Sequence, residues 1–439
     1  MGRSLFGTDG VRGPTGGADA KLTPELALAL GRATAAELRG DRPQVLIVRD
    51  TRESGHMLES ALASGLAAAG ADVFLGGVLP TPAAAILVRK HGFDLGAVVS
   101  ASHNPWRDNG IKFFGRDGRK LDDAEEARVE ARVAAGPATG AASGRIRKLE
   151  GALDDYLRAL ASAFDLDLSG RRIVVDCANG ATYRAAPAAF ERLGADLVTI
   201  GAEPDGRNIN EGCGSTHLDN VAGAVAEHGA EIGFAFDGDG DRMLAVDGEG
   251  REFDGDEIVA ISALHLRETG ELPGGVAVTV MSNYGFHQAM DAAGIEVATT
   301  KVGDRYVIEE LVERGWTIGG EQSGHIIWTD FATTGDGLAA ALLVVQALGG
   351  EPLAERRPIE KLPQRLENVP VPGREALAAA TGLWEAVGRE GAGLEGRGRV
   401  LVRPSGTEPL VRVMVEAPDE AECEQVLGRL VAVARRELG

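Results

Sequence analysis

The sequence predicts an α/β fold, with three α/β units followed by a smaller α+β unit. Short apolar runs alternate with Ala/Leu-rich helical stretches through most of the chain, as buried strands and their helical connections do. Gly/Asp/Asn turns repeatedly follow those runs. The C-terminal residues differ, because two apolar strands there flank a short loop, with helices on either side. A length of 439 residues is sufficient for about two to four domains.

The first predicted helix has clear ends. Thr23 suits the N-cap, Pro24 the first turn, and Gly40 a position past the C-terminal end. An apolar run at 45–48 then predicts a buried strand, and a helical stretch follows at 59–69. This succession of strand and helix favours α/β layers.

Later elements repeat the pattern until the C-terminal part of the chain. Strands are predicted at 96–99, 172–176 and 276–280, and each leads into a polar turn. The α+β unit rests on strands predicted at 398–403 and 410–415, with a short loop between them.

Composition shifts indicate where domains divide. One break lies in a Gly/Ala-rich stretch near 136–144, and another in a charged stretch with four prolines near 356–372. The resulting partition is 1–150, 151–255, 256–365 and 366–439.

Composition and charge restrict the class of protein. Hydrophobic residues make up 44% and charged residues 25%, as in soluble globular proteins. The net charge of −21 argues against nucleic acid or an anionic membrane as partner, because like charges repel. No apolar run reaches the ~18 residues of a membrane span, and no apolar leader opens the chain. The three scattered cysteines match no zinc or disulfide pattern, so we expect a cytoplasmic protein.

Three aspartates that alternate with glycine form the strongest local signal. Asp237, Asp239 and Asp241 directly follow an apolar strand. The glycines let the backbone bend so that three carboxylates can converge on one hard cation, for which Mg²⁺ is the best candidate. A calcium EF-hand is excluded because its sixth and twelfth loop positions hold Arg242 and Gly248. The alternative is an Asp/Gly hairpin turn without a metal.

A Ser-His-Asn-Pro segment follows another apolar strand. It lies at 100–105 and contains Ser102 and His103. The carboxyl ends of strands are where α/β folds build their sites, so a serine nucleophile is possible. The sequence lacks a GxSxG motif, which argues against an α/β hydrolase. A turn with satisfied hydrogen bonds is the alternative.

Two further polar loops carry groups that could contact sugar hydroxyls and a phosphate. The loop 319–325 holds carboxylate, amide, hydroxyl and imidazole groups that could bind sugar hydroxyls. The loop 403–409 offers an arginine, two hydroxyls and a glycine N–H as a phosphate cradle. A polar loop and a capped hairpin turn are the respective alternatives. Because no lysine follows a glycine, a P-loop kinase loses its main support.

Taken in their order, these motifs resemble the α-D-phosphohexomutase family. The resemblance also includes Phe-Gly-Thr-Asp-Gly-Val-Arg-Gly at 6–13 and the segments 108–114 and 208–217, and it extends to Arg412. It implies three related α/β domains with mixed sheets and a fourth α+β domain around a central cleft. In order, the domains would carry a phosphoserine loop, a metal loop, a sugar-recognition loop and a phosphate-binding loop.

The resemblance also implies roles for individual residues. Ser102 would carry a phosphoryl group as phosphoserine. One Mg²⁺ would bind Asp237, Asp239 and Asp241, with an oxygen of phosphorylated Ser102 as a further ligand. The other implied residues are Glu321, Ser323 and His325 for sugar contacts, Arg403, Ser405, Gly406, Thr407 and Arg412 for substrate phosphate, and Arg12, Lys112 and His325 for catalysis.

The implied reaction moves a phosphoryl group through Ser102 and a bisphosphorylated sugar, and a sugar 1,6-bisphosphate would activate the serine. Gln322 and the opening motif at 6–13 are similar to those of one branch of the family. Enzymes of that branch interconvert glucosamine 6-phosphate and glucosamine 1-phosphate, which feeds UDP-N-acetylglucosamine and cell-wall synthesis. Glucose or mannose phosphates are the alternative substrates. Trp106 and Arg107 depart from the family pattern beside the nucleophile. A phosphatase and a catalytically inactive sugar-phosphate binding protein are the rival functions, and a homodimer is a possible assembly.

Overall fold

The protein is described by a computed structural model, which covers residues 5–7, 9–136, 142–371, 375–405 and 409–438. The chain divides into two compact units, Met1–Val280 with Ala298–Arg357, and Met281–Val297 with Pro358–Gly439. Among the described residues, no helix is both long and apolar enough to cross a membrane.

The first sheet is six-stranded and mixed. Its strands and the accompanying helices are β1 (Val11–Pro14), α1 (Pro24–Glu37), β2 (Gln44–Arg49), α2 (Gly55–Ala68), β3 (Asp72–Val78), α3 (Thr81–His91), β4 (Leu95–Val99), β5 (Asp108–Gly115), α4 (Asp123–Ala135) and β6 (Ile146–Lys148). The strand order is β1-β5-β4-β2-β3-β6, with β2 parallel to β3 and β4, and β5 antiparallel to β4 and β1. The Thr23 hydroxyl accepts a hydrogen bond from the Leu26 N–H at 3.3 Å, so the predicted cap of α1 is confirmed.

The second sheet is five-stranded and also mixed. Its elements are α5 (Ala152–Ala163), β7 (Arg172–Asp176), α6 (Ala185–Arg192), β8 (Asp196–Ile200), α7 (Asp219–His228), β9 (Ile232–Phe236), β10 (Met243–Asp247) and β11 (Glu252–Phe253). The order is β11-β10-β9-β7-β8. Strand β7 is parallel to β8 and β9, whereas β10 is antiparallel to β9 and β11.

The third sheet has four strands in the order β13-β12-β14-β15. This part of the chain contains α8 (Gly255–Glu268), β12 (Val276–Thr279), α9 (Tyr284–Ala292), β13 (Val297–Thr300), α10 (Asp304–Arg314), β14 (Ile318–Gly320), β15 (Ile326–Trp328) and α11 (Gly337–Leu348). Helix α9 belongs to the second compact unit. The longest apolar run of the sequence forms α11, which is buried along nearly its whole length.

The C-terminal sheet is antiparallel, with the order β16-β18-β17. Its elements are β16 (Gln364–Pro370), α12 (Glu375–Ala379), α13 (Thr381–Gly393), β17 (Arg399–Pro404), β18 (Leu410–Glu416) and α14 (Glu420–Leu438). The sequence did not predict β16, because this edge strand buries only Val369 fully and carries charged residues that indicated a break. The predicted fold class, with three α/β parts and a C-terminal α+β part, is confirmed.

Candidate active site

A cavity of about 450 Å³ lies in the first compact unit, where loops from its three sheets meet. The serine loop (100–108) follows β4, and the aspartate loop (237–242) follows β9. The sugar loop (319–325) joins β14 to β15. Predicted site residues that line this cavity are Arg12, Ser102, Asp241, Glu321, Ser323 and His325. Strand order alone would not have placed three separate sheets around one cavity.

Ser102 lines this cavity and is 2% exposed. Its Oγ donates a hydrogen bond to Asp237 Oδ2 at 2.5 Å and lies 3.3 Å from His103 Nδ1. Burial, together with the positive charges of Arg242 and Arg12, lowers the pKa of His103 to about 4. The imidazole beside the serine hydroxyl is therefore neutral at pH 7.

The three aspartates are all buried, and each offers a carboxylate oxygen within 4.8 Å of the others. Burial and then the charges of Asp241 and Asp239 raise the pKa of Asp237 well above its ordinary value. Within the described part of the chain, the buried Oδ1 of Asp239 has no hydrogen-bond partner. Crowded carboxylates with an unsatisfied oxygen fit a divalent cation that prefers oxygen ligands.

Two glycines allow the aspartate loop to lie against its neighbours. A Cβ atom on Gly238 would lie 2.6 Å from the main-chain oxygen of Ser102. Gly240 has φ +71°, and a Cβ there would lie 2.6 Å from the Thr182 side chain. Larger residues at these positions would push the aspartate loop away from the serine.

Lys112 projects from β5 into the aspartate cluster. Its Nζ lies 2.8 Å from Asp239, 3.2 Å from Asp9 and 3.6 Å from Asp241. Although burial alone would lower it, the pKa of Lys112 is held above its ordinary value by these carboxylates. Lys112 is therefore a permanent cation at neutral pH, and Arg12 adds a second cation through its ion pair with Asp9.

Sequence reasoning missed a ring of charges that joins this cluster to the sugar loop. Lys120 Nζ lies 2.6 Å from both Asp9 and Asp304. His325 lies 3.5 Å from Asp304 and 3.6 Å from Asp241. Although burial alone would lower it, Asp241 and Asp304 raise the pKa of His325. Asp9 belongs to the opening motif and could have been selected, whereas Lys120 and Asp304 carry no sequence signal.

The sugar loop is anchored by the main chain of a neighbouring turn. The N–H of Gly303 donates to Glu321 Oε1 at 3.0 Å, which turns this carboxylate toward the cavity that it lines. The Gln322 amide instead donates at 3.3 Å to Oδ2 of Asp254, which is the N-cap residue of α8. Gln322 thus attaches the sugar loop to the start of α8, and it is not among the described residues that line the cavity.

The predicted phosphate cradle belongs to the second compact unit. Arg403 on β17 and Arg412 on β18 are cross-strand partners. Burial and the like charge of Arg412 lower the pKa of Arg403. Arg412 Nε is buried and has no hydrogen-bond partner among the residues described, while Ser405 is buried and its N–H donates to Leu410. Two facing arginines fit an anion; the predicted ligands Gly406 and Thr407 lie outside the described residues.

Profiles of one protein family match the chain in four consecutive segments. They are described as phosphoglucomutase/phosphomannomutase alpha/beta/alpha domains I, II and III, at 3–139, 154–250 and 254–366, and the C-terminal domain at 366–433. The match therefore spans most of the chain.

Full-length relatives and solved structures agree with this match. Phosphoglucosamine mutases of Desulforudis audaxviator and Moorella thermoacetica are each 51% identical, over 98% and 99% of this chain and 97% and 99% of theirs. A phosphoglucomutase/phosphomannomutase family protein of Burkholderia thailandensis has a TM-score of 0.82 at 27% identity, covering 98% and 97% of the two chains. Aspergillus fumigatus N-acetylphosphoglucosamine mutase, solved with GlcNAc-6P and magnesium, shares the fold at 18% identity, with a TM-score of 0.68 over 99% and 96%.

The fold and the paired serine and aspartate loops define a sugar-phosphate mutase, an enzyme of the isomerase class. The chain belongs to the phosphoglucomutase/phosphomannomutase family, and the predicted membership of the α-D-phosphohexomutases is confirmed.

Proposed function

We propose that this chain interconverts glucosamine 6-phosphate and glucosamine 1-phosphate, as a phosphoglucosamine mutase. The observation that carries the reaction is the 2.5 Å contact between Ser102 Oγ and Asp237 in a cavity that the sugar loop also lines. The substrate follows from the relatives of that name at 51% identity over nearly the whole chain. The four matched family segments support the partition 1–150, 151–255, 256–365 and 366–439.

In this proposal Ser102 carries the phosphoryl group and the three aspartates hold Mg²⁺. When bound, the metal ion would neutralise charge on the phosphoserine and on the phosphoryl group in transfer. The buried and unsatisfied oxygen of Asp239, together with the raised pKa of Asp237, supports this assignment. A sugar 1,6-bisphosphate would supply the first phosphoryl group to Ser102.

Lys112 and Arg12 would stabilise the transferring phosphoryl group by charge. A phosphoserine carries about −1.5 to −2 charges, so several fixed cations are needed around it. The raised pKa of Lys112 supports an electrostatic role and makes its ammonium a poor proton donor. Arg242 also lines the cavity and would share this task.

Recognition of the substrate would be divided between two loops. Glu321, Ser323 and His325 would bind sugar hydroxyls, since all three line the cavity. Arg403, with Arg412, Ser405, Gly406 and Thr407, would hold the phosphate that is not being transferred. The sugar would turn over between the two transfers, so that each phosphate occupies this cradle once.

One kinetic comparison tests the proposal. The kcat/KM for glucosamine, glucose and mannose phosphates is measured with the matching 1,6-bisphosphate as primer, and glucosamine phosphate should be preferred. A preference for glucose or mannose phosphate would favour the alternative, a phosphoglucomutase/phosphomannomutase of the same family. Release of free phosphate without isomerisation would identify a phosphatase, and binding without turnover a sugar-phosphate binding protein. The homodimer and the cytoplasmic location stay predictions, and light scattering would measure the former.

A further inference from the structure

A buried arginine that the reaction scheme does not use holds the serine loop. Arg52 is 1% exposed, yet its guanidinium reaches four main-chain carbonyl groups of that loop. It donates to the carbonyl oxygens of Ser102 at 2.8 Å, Asn104 at 2.8 Å, Pro105 at 2.5 Å and Asp108 at 3.0 Å. The planar array of five N–H donors suits this task, which a lysine could not perform.

Asp50 completes the attachment of Arg52. It accepts from Arg52 Nε at 2.8 Å and from the Ser100 hydroxyl at 2.6 Å. The Ser100 Oγ accepts in turn from the N–H of Ser102 at 3.0 Å. The N–H of Ser102 is therefore connected to Asp50 through the Ser100 hydroxyl, and the carbonyl of Ser102 is bonded directly to Arg52. Asn210 Nδ2 also donates to the Ser102 carbonyl, at 2.9 Å.

Ser102 needs such an attachment because its backbone is strained. Its φ is +52°, in the left-handed region that non-glycine residues rarely adopt. A conformation of this kind persists only where the surroundings fix it, as the bonds to both peptide groups do here. The result is a side chain whose Oγ lies 2.5 Å from Asp237.

We propose that Arg52, paired with Asp50, is a positioning residue for the nucleophile of the mutase. It fixes the main chain of the serine loop so that Ser102 Oγ stays directed at the aspartate cluster. Neither Arg52 nor Asp50 is among the described residues that line the cavity, so the pair acts through the loop and not on the substrate. This inference rests on the proposed function, since it takes Ser102 as the nucleophile.

The test is Arg52→Lys, which keeps the charge but cannot span four carbonyl groups. Misplacement of a reacting atom by about 1 Å can cost 10²-fold in rate, so kcat should fall roughly ten- to a hundredfold. The KM for the sugar phosphate should change by less than about threefold, because the residues that bind it are untouched. The ³¹P resonance of phosphorylated Ser102 should also shift or broaden.

Arg49→Lys is the matched control. Arg49 is a buried arginine close by in sequence, but its guanidinium bonds Glu59, His56 and the Asp50 carbonyl and not the serine loop. Both variants are compared at equal folded fraction, measured by thermal unfolding. Asp50→Asn, which keeps the size of the side chain, is a second variant with the same expected kcat defect if Arg52→Lys does not fold.

The inference is overturned if the folded Arg52 or Asp50 variant keeps the wild-type kcat, or if Arg49→Lys loses as much kcat at the same stability. It is also overturned if the loss falls on KM with kcat unchanged. These outcomes leave the proposed function intact, because the wild-type protein is active in each of them. An inactive wild-type protein, with no phosphate on Ser102 after incubation with bisphosphate, would instead overturn the proposed function and with it the inference.

Discussion

The serine loop at 100–108 and the aspartate loop at 237–242 meet in one cavity, yet they are stabilised in opposite ways. Arg52 donates hydrogen bonds to four carbonyl groups of the serine loop, and Asn210 donates to the Ser102 carbonyl as well. The aspartate loop holds three buried carboxylates, and within the described chain Asp239 Oδ1 remains unsatisfied. The protein by itself satisfies the first loop, whereas the second keeps a buried oxygen that a cation would satisfy.

The physical reason lies in the charges that each loop buries. A main-chain carbonyl carries only a partial charge, and one guanidinium with its carboxylate partner can satisfy several. Three full negative charges in a buried site repel one another and lose their hydration. Lys112 offsets part of this cost, and a divalent ion would offset more. The main chain of Ser102 is thus fixed by the protein alone, while a bound cation would be needed to neutralise the aspartate loop.

We expect the greatest loss of activity from a variant that removes the side-chain oxygen of Ser102 from the serine loop. Ser102→Ala removes the oxygen that would carry the phosphoryl group, so mutase activity should fall by about 10³-fold or more. Steady-state assays and intact-mass detection of the phosphorylated serine would measure this loss. The melting temperature should fall only modestly, since the main-chain bonds that hold the loop remain and only the hydrogen bonds of Ser102 Oγ, above all that to Asp237, are lost. A fully active alanine variant would contradict the mechanism.

Removal of the proposed cation should distinguish the two loops most clearly, because only the aspartate loop is expected to depend on it. Excess chelator should abolish turnover, and added Mg²⁺ should restore it. Mg²⁺ should also raise the melting temperature of the wild-type protein, because a ligand that binds only the folded state stabilises it. Asp239→Asn should lose most of this increase, whereas Ser102→Ala, which keeps all three aspartates, should retain more of it. Full activity in excess chelator would mean that the aspartates form only a turn.

Arg403 and Arg412 in the second unit are opposite in charge to the aspartate loop, so we expect them to bind an anion where the aspartates would bind a cation. Arg403→Ala removes contacts to a phosphate dianion that are worth roughly 1.5–3 kcal/mol each, so kcat/KM should fall about ten- to a hundredfold. Arg365→Ala is the control, since this exposed residue on β16 pairs with Glu420. Phosphorylation of Ser102 should weaken through poorer binding of the bisphosphate. An unchanged kcat/KM for the phosphosugar would show that the loop is only a hairpin.

The smallest effect concerns the support of the aspartate loop by α11. The N–H of Gly337 donates to the Gly240 carbonyl at 3.0 Å, and Asp336 caps this helix. Burial raises the pKa of Asp336 to about 6, against the opposing bonds from the Ala339 N–H and the Tyr156 hydroxyl. Because its pKa is higher folded than unfolded, the free energy of unfolding should fall as pH rises from about 4 to about 6.

This dependence should vanish in Asp336→Asn, which retains a capping side chain. The wild-type protein should lose roughly 2 kcal/mol relative to that variant between pH 4 and pH 7, measured by urea unfolding. Asp154→Asn, at an exposed ion pair with Arg192, should leave the dependence unaltered. Identical pH profiles for wild type and Asp336→Asn would contradict the prediction.

The α/β class, several of the buried strands and the motifs proposed for the site follow from the sequence alone. Apolar runs and turn residues act locally, so the predicted strand at 172–176 coincides with β7. The aspartate and serine motifs are also local, since their residues are neighbours along the chain. The edge strand β16 was not predicted, because it buries only one residue and its charged residues do not form an apolar strand pattern.

Which cations and carboxylates meet depends on the packing of the sheets, because the partners are far apart in the sequence. Lys120 and Asp304 are separated by 184 positions, and Arg52 lies 50 positions from the Ser102 carbonyl that it binds. A single lysine or arginine has no local pattern that marks it as a partner. Its role arises when folding removes water from a charge, which must then be satisfied by whichever groups the sheets bring beside it.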